Sequence, residues 1–261
     1  MMDDDMISMP IGQDFTRRLL EDAGLTAGMR VLDLGCGGGD VSILAARLVG
    51  ETGQVHGIDI EAGPLNRARE RIKELGLSNI TFSHLPIEEI QQDDEPFDAV
   101  IGRRVLLYLP DPAAAIARVS QLLRPGGLIA LHEHSATMTP ASLADLPLHD
   151  RVLGWVRAMI DHEGADPAMG LRLYGLLSGA GFDVADVRAE AVLQTPTRGY
   201  PLAGLVQAVL PRILASGAVT EAEIGLETLA ARLADERRQS NATYVADMMF
   251  GAWGHKAREA A

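Results

Sequence analysis

The chain has 261 residues, 47% of them apolar, and a formal net charge of −13. That length allows one large domain or a domain with an insertion, and the apolar share allows a sizeable core. A surface this acidic repels nucleic-acid phosphates and anionic membranes, so both are disfavoured as partners.

Cys36 is the single cysteine, which excludes an internal disulfide. Residues 1–10 carry Asp3, Asp4 and Asp5 without an apolar centre, unlike a secretory signal. No apolar run reaches the about 20 residues that span a bilayer. A soluble, cytoplasmic protein is the expectation. A homodimer is one arrangement left open.

Residues 1–11 read as loose. Phe15, Leu19, Leu20 and Ala23 recur at helical spacing, and Gly24 ends that helix. Arg30 to Leu34 reads as a short buried strand. Gly35, Gly37, Gly38 and Gly39 follow, and a helix-like run from Val41 to Leu48 comes next. A strand that turns through glycines into a helix sets bare backbone and a helix N-terminus at a sheet's end, where open α/β proteins bind nucleotide-like ligands. A dinucleotide loop would carry a third glycine at position 40, which is Asp40. Asp33 stands two residues before the first glycine. A carboxylate there repels a pyrophosphate and attracts an ammonium group. S-adenosylmethionine has that ammonium and no phosphate, so Asp33-x-Gly35-x-Gly37-x-Gly39 favours it over a nicotinamide cofactor.

Gly50 to Gly53 form a turn, and Gln54 to Asp59 read as the second strand. Asp59 at its tip suits both ribose hydroxyls of an adenosine; the competing role is a helix N-cap. The helix after it has the stripe Leu65, Ala68, Ile72 and Leu75. Asn79 to His84 and Phe97 to Gly102 give the third and fourth strands. Asp111 caps a helix with Pro112 at its first position, striped by Ile116, Val119 and Leu123. Arg124 to Gly127 is a turn, and Leu128 to Leu131 is the fifth strand, ending in His132-Glu133-His134. Strands alternating with helices imply a mostly parallel sheet covered on both faces.

From Ser135 to Asp166 the pattern loosens. Thr139-Pro140 and Leu146-Pro147 break it, and Val152 to Ile160 reads as a helical piece. Asp166-Pro167 opens a helix through Leu173, Leu176 and Leu177. Phe182 to Val192 is a strand, 201–216 an apolar helix, and Tyr244 to Trp253 the last strand. Thr220 and Glu223 form a capping box for a helix striped by Leu226, Leu229 and Leu233. Two helices between the final strands would cap the sheet's carboxyl edge, where acceptor selectivity belongs. The organisation expected is a single domain over 1–261, with a core of about 12–135, 166–192 and 242–256 and helical cap elements of about 136–165 and 195–240.

Four segments together resemble the class I S-adenosylmethionine-dependent methyltransferases: Val31 to Gly39, Gly57-Ile-Asp59, Phe97 to Gly102, and Leu123 to Gly127 before a strand. The likeness covers about residues 15–135. With Leu107-Tyr-Leu-Pro-Asp111 it is most similar to small-molecule and natural-product members. It implies an α/β, Rossmann-like, seven-stranded, mostly parallel sheet with an antiparallel last strand, helices on both faces and a helical cap insertion. The cofactor it implies is S-adenosyl-L-methionine, with S-adenosyl-L-homocysteine as product. Asp33 and the backbone at Gly35 and Gly37 would hold the methionine end, with Cys36 as a small packing residue in the same loop. Asp59 would take the ribose hydroxyls, Ile60 would pack on the adenine, and Arg103 would lie beside the methionine moiety. The family commonly has an acid after the third strand that meets the adenine amino group. Here Pro86 stands at that place, Ile87 can cover the ring, and the amino contact is lost, moved to Glu88, or made by backbone.

Methyl transfer from a sulfonium is a displacement that chiefly needs alignment. A base is needed only where the acceptor carries a proton, as a hydroxyl does. His132 and His134 are the candidate bases, pointing to one side of the strand with Glu133 on the other; the competing reading, and the commoner one for any single histidine, is an ordinary capping or surface residue. Arg103-Arg104 could grip a carboxylate acceptor or pair with nearby acids. Tyr108, Trp155, Tyr174 and Tyr200 could line an aromatic pocket or serve as core. His149 and His162 share no metal-ligand spacing with acids, so no metal is expected. The leading function is methyl transfer to a small-molecule acceptor, most naturally at oxygen. Alternatives are a cofactor-binding enzyme of rearrangement or cyclisation, or a non-catalytic partner subunit.

Overall fold

The computed structural model describes residues 11–91, 95–138 and 140–258. The loose start expected over residues 1–11 and the break at Thr139 therefore lie almost wholly outside the described residues. In chain order the first elements are α1 (Ile11–Asp22), β1 (Arg30–Leu34), α2 (Asp40–Val49), β2 (Gln54–Asp59), α3 (Ala62–Glu74), β3 (Ile80–His84), β4 (Phe97–Arg103), α4 (Pro112–Leu122) and β5 (Leu123–Ser135). Then come α5 (Pro147–His162), α6 (Met169–Gly179), β6 (Phe182–Gln194), α7 (Leu202–Ala208), α8 (Leu210–Ala215), α9 (Glu221–Ile224), α10 (Leu226–Ser240) and β7 (Tyr244–Lys256).

The strands form one seven-stranded sheet in the order β3-β2-β1-β4-β5-β7-β6. The pairs among β1 to β5 are parallel, and the last strand is antiparallel, so the fold is the Rossmann-like α/β sheet expected. β1 lies between β2 and β4 and is buried from Val31 to Leu34. In that register Asp33 stands beside Gly57 of β2 and Ile101 of β4. Strands covered on both faces read as continuous apolar runs, as Ala99 to Ile101 do.

Local capping chemistry sets several helix starts. The Asp111 side chain accepts the Ala114 N–H at 2.9 Å with Pro112 at the first position. Thr220 and Glu223 form the reciprocal capping box. Phe15, Leu19 and Leu20 of α1, and Ala23 just past its end, are buried as their spacing requires.

Several expectations need correction. The helical piece expected over Val152 to Ile160 runs from Pro147 to His162, because Pro147 opens α5 at N1, where its missing N–H costs nothing. The helix expected over 201–216 is two, because Val209 leaves helical geometry just before Pro211. The capping box serves only α9, since Gly225 turns left-handed at φ 55 and Leu226, Leu229 and Leu233 belong to α10. Four helices rather than two therefore separate β6 from β7. Leu75 is 47% exposed because α3 stops at Glu74 and leaves Leu75 as its C-cap. Leu123 starts β5 instead of ending α4, and the pairing with β4 slips between Phe97 and Ala99, so Arg124 to Gly127 bulges within the strand. β7 runs on to Lys256, beyond the Trp253 expected.

The described chain divides into two compact units. One comprises Gly12–Glu133, Gly170–Arg188 and the residues from Phe250 on; the other contains His134–Met169 and Ala189–Met249. No helix among the described residues is long and apolar enough to cross a membrane.

The second unit has its own polar core. Glu236 of α10 accepts the N–H of Leu148 at 2.8 Å, the N–H of His149 at 3.0 Å, and the buried His149 ring at 2.6 Å. The Tyr244 hydroxyl donates to Asp150 at 2.7 Å. Burial pushes the Glu236 carboxyl up, but these three donors outweigh it and hold it below the usual glutamate value. Its contribution is thus fully present above about pH 4.5 and lost as pH falls through the lowered value. Glu236→Ala should cost about 2–3 kcal/mol at pH 7, because buried donors lose their acceptor. Urea unfolding at pH 7 and pH 3 checks this, with the smaller loss expected at pH 3.

Candidate cofactor site

The site grows from the end of β1. Gly35 and Gly37 have φ of 57° and 52°, the left-handed region that glycine enters at no steric cost. A side chain at Gly35 would also collide with Val105, whose Cγ2 lies 2.6 Å from where a Cβ would stand. At Gly37 the same position faces open space. Gly39, left-handed at φ 79, is the N-cap of α2.

Asp59 at the tip of β2 holds this loop. Its Oδ2 accepts the Gly37 N–H at 2.8 Å, and its Oδ1 accepts the Glu61 N–H at 2.8 Å. The ribose and capping roles weighed for Asp59 are therefore not exclusive: it secures the entry to α3, and each oxygen keeps a second lone pair. Ile60, next to it, is 70% exposed. His84 of β3 contacts the Ile60 carbonyl at 2.9 Å through Nε2. Pro86 precedes a short 3-10 turn, Ile87–Glu89, in which Ile87 is buried and Glu88 exposed.

Asp33 lies under the loop and is 1% exposed. The Ser42 hydroxyl of α2 donates to Oδ2 at 2.5 Å, while Oδ1 is buried with no hydrogen-bond partner among the described residues. Burial lifts the Asp33 carboxyl to about 7, against the lowering influence of Ser42 and the Arg103 charge. Cys36 is buried; its N–H donates to the Ile58 carbonyl at 2.9 Å. A Cβ at Gly57 would lie 2.9 Å from the Cys36 Sγ and 2.7 Å from Phe82, so the thiol fills a gap between strands. Burial pushes that thiol far up, which suits packing rather than reactivity.

Arg103, at the end of β4, reaches Asp40 at 3.4 Å, and Arg71 of α3 binds Asp40 at 2.8 Å and the Gly38 carbonyl at 2.6 Å. The pairing with a nearby acid weighed for Arg103 is present as this contact with Asp40. Arg104 adopts φ 54, uncommon for a residue with a side chain. His132 is 1% exposed and packs on Phe15 of α1 with ring centroids 4.6 Å apart. Its Nδ1 lies 2.9 Å from the Thr16 hydroxyl, which itself donates to the Gly12 carbonyl at 2.8 Å. With the Thr16 hydroxyl donating to Gly12, it accepts from Nδ1–H, the tautomer that leaves Nε2 as the acceptor nitrogen.

One unit thus brings together Asp33, Gly35, Cys36, Gly37, Asp59, Ile60, Pro86, Ile87, Arg103 and His132. His134, half-buried, belongs to the other. The four aromatics do not share a unit: Tyr108 and Tyr174 are exposed on the first, while Trp155 is buried and Tyr200 half-buried in the second. Two residues escaped the sequence reading as members of the site. Ser42 is recognisable only once α2 turns it toward Asp33. Glu133 is placed opposite the two histidines by strand alternation, but its partners are far off in sequence.

Asp33 carries a stability signature with a definite sign. A folded value near 7 against an ordinary 3.8 means that stability falls as pH rises between those values and is then flat. Asp33→Asn keeps an acceptor for Ser42 and removes the charge. It should raise unfolding stability at pH 8 by on the order of 2–4 kcal/mol and by almost nothing below pH 4, measured by urea titration across that range.

A sequence profile of the methyltransferase-domain family matches residues 25–163. The aklanonic acid methyltransferase DauC of Streptomyces sp. (strain C5) is 41% identical over 114 residues, 44% of this chain and 52% of that protein. The ubiquinone biosynthesis O-methyltransferase of Acinetobacter baylyi is 39% identical over 108 residues, 41% of this chain and 44% of that protein. The chain spans about half the length of these curated relatives. Among solved structures, the cyclase SpnF shares the fold with a TM-score of 0.56 at 23% identity, over 94% of this chain and 82% of that one. With more than half of its length matched by one profile, the chain belongs to the methyltransferase-domain family.

Proposed function

We propose that the protein is an S-adenosyl-L-methionine-dependent methyltransferase acting on a small molecule, at oxygen, by direct displacement. One observation carries the reading. Two carboxyl groups, Asp33 and Asp59, converge on a single bare-backbone loop, one beneath it with an unpartnered oxygen and one gripping it through Gly37. This donor set fits the cofactor. A buried carboxyl oxygen suits an ammonium group, a carboxylate with spare lone pairs suits a vicinal diol, and the exposed Ile60 side chain suits a flat ring. The glycine loop offers backbone without side chains, and the cation that reaches it, Arg71 on the Gly38 carbonyl, is already paired with Asp40.

On this reading Asp33, Gly35 and Gly37 hold the methionine end, with Cys36 packing behind them. Asp59 binds the ribose and Ile60 covers the adenine, with Pro86 and Ile87 at its rim. Arg103, screened by Asp40, sets the charge beside the methionine carboxylate. When bound, the cofactor supplies a methyl group on a positively charged sulfur, which leaves as a neutral thioether. His132 takes the acceptor's hydroxyl proton at Nε2, its ring held by Thr16 and Phe15; His134 is the second candidate for that task. The family relatives support the small-molecule class, since their names place them on aklanonic acid and in ubiquinone biosynthesis. The net charge of −13 argues against a nucleic-acid acceptor.

Calorimetry with S-adenosylmethionine and S-adenosylhomocysteine tests the cofactor; no binding of either would sink the reading. Release of S-adenosylhomocysteine across a panel of phenolic acceptors tests the transfer, and binding without release would turn attention to cyclisation or rearrangement. Asp59→Ala should weaken cofactor binding by about 10–100-fold, since it removes two hydroxyl contacts and the Gly37 anchor together. An affinity equal to that of the unaltered protein would contradict the ribose role. His132→Ala should slow turnover about 100-fold with cofactor affinity unchanged, and His134→Ala is the parallel measurement; full rates in both would dismiss a histidine base.

A further inference from the structure

Glu133 lies at the end of β5 with a side chain that is 0% exposed. Its Oε1 accepts two backbone N–H groups, from Val105 at 2.9 Å and Leu106 at 2.8 Å. Its Oε2 is buried and has no hydrogen-bond partner among the described residues. The residue before this pair, Arg104, holds φ 54, and its N–H donates to the His132 carbonyl at 2.8 Å. Three successive N–H groups of the turn after β4 are thus held by two successive residues of β5. Val105 in turn touches the glycine loop: its Cγ2 occupies the space that a side chain on Gly35 would need.

We propose that Glu133 is a positioning residue for the cofactor: by holding the Val105 and Leu106 N–H groups it sets the Arg103–Leu106 turn, and through Val105 it fixes the Gly35 end of the cofactor loop. This rests on the proposed cofactor reading and goes beyond it by assigning a residue that touches no cofactor group.

The choice of residue is otherwise unexplained. Burying a carboxyl is expensive, and an aliphatic residue would pack there without that cost. It would leave the buried Leu106 N–H and the part-buried Val105 N–H unanswered, though, and buried N–H groups without a partner are rarely tolerated. Burial lifts the Glu133 carboxyl to about 8, opposed by the Leu106 and Val105 N–H groups and the Arg104 charge. Near neutral pH the prevailing form is therefore the neutral acid. Glutamine is its close match, with the same acceptor oxygen and no charge.

The test is calorimetric titration of the full chain with S-adenosylhomocysteine, with melting temperatures recorded in parallel. Glu133→Gln should bind within about threefold of the unaltered protein, and Glu133→Ala at least about tenfold more weakly with a stoichiometry still near one. A Glu133→Ala protein that melts earlier yet binds with full affinity would show a purely structural role and overturn the proposal. So would a Glu133→Gln protein as weak as Glu133→Ala. Should Glu133→Ala not fold, Val105→Ala decides: it keeps both N–H groups on Glu133 but breaks contact with the loop. A loss of about tenfold is expected, and full affinity would overturn the proposal. No binding by the unaltered protein would remove the cofactor reading and this proposal together, whereas binding that none of the variants alters removes this one alone.

Discussion

The hydrogen bond from the Gly37 N–H to Asp59 is the contact on which the site depends. Left-handed glycines give the loop its shape but leave it many other shapes as well, since glycine loses more freedom on ordering than any other residue. A carboxylate on the neighbouring strand selects one of them. The same group accepts the Glu61 N–H and so aligns α3 with the loop. The parallel register of β1 and β2, with Leu34 beside Ile58, brings Asp59 into reach. One side chain thereby ties two strand ends and a helix entry into a single frame.

Around that frame the molecule buries acids that a design for stability would avoid. Asp33 and Glu133 are both fully enclosed, and both are raised toward or beyond neutral pH by burial. The two cases differ. Glu133 answers two backbone N–H groups and leaves its second oxygen facing nothing. Asp33 answers one hydroxyl and keeps its other oxygen buried without a partner among the described residues, two residues before the glycine loop. Perturbed, unsatisfied groups of this kind concentrate at functional sites because their cost is recovered only when a ligand arrives.

What the sequence disclosed and what it withheld separate along chain distance. The glycine loop, the Asp111 and Thr220 caps and the stripe of α1 depend on neighbours within a turn or two, and each is visible in the residues themselves. The split at Val209 was also local, yet an apolar run hides it, because periodicity marks a buried face and says little about where the axis bends. The left-handed Gly225 shows the same weakness: a glycine after a capping box reads as tolerable within a helix until the backbone shows it ending one. Glu133 was beyond reach for a different reason. Strand alternation turned it away from the histidines, but no pattern within β5 says that its partners are the N–H groups of Val105 and Leu106. His132 likewise reads as a sheet-edge base, and only the packing of α1 reveals Phe15 and Thr16 around it.

The charge argument that first pointed to a cationic ligand also changes form in three dimensions. Read from the chain, Asp33 is a fixed negative charge awaiting an ammonium group. In the folded protein burial raises its carboxyl to about 7, so the neutral acid is within reach near neutral pH. A cation that approaches Oδ1 stabilises the ionised form and drives that proton off. On the proposed cofactor reading, ligand capture and proton release would be one event. Without a ligand the neutral acid spares the fold a buried charge beside Asp59 and Asp40. On that reading, the same burial that makes Asp33 costly to keep would let it pass from a neutral core group to a counter-ion.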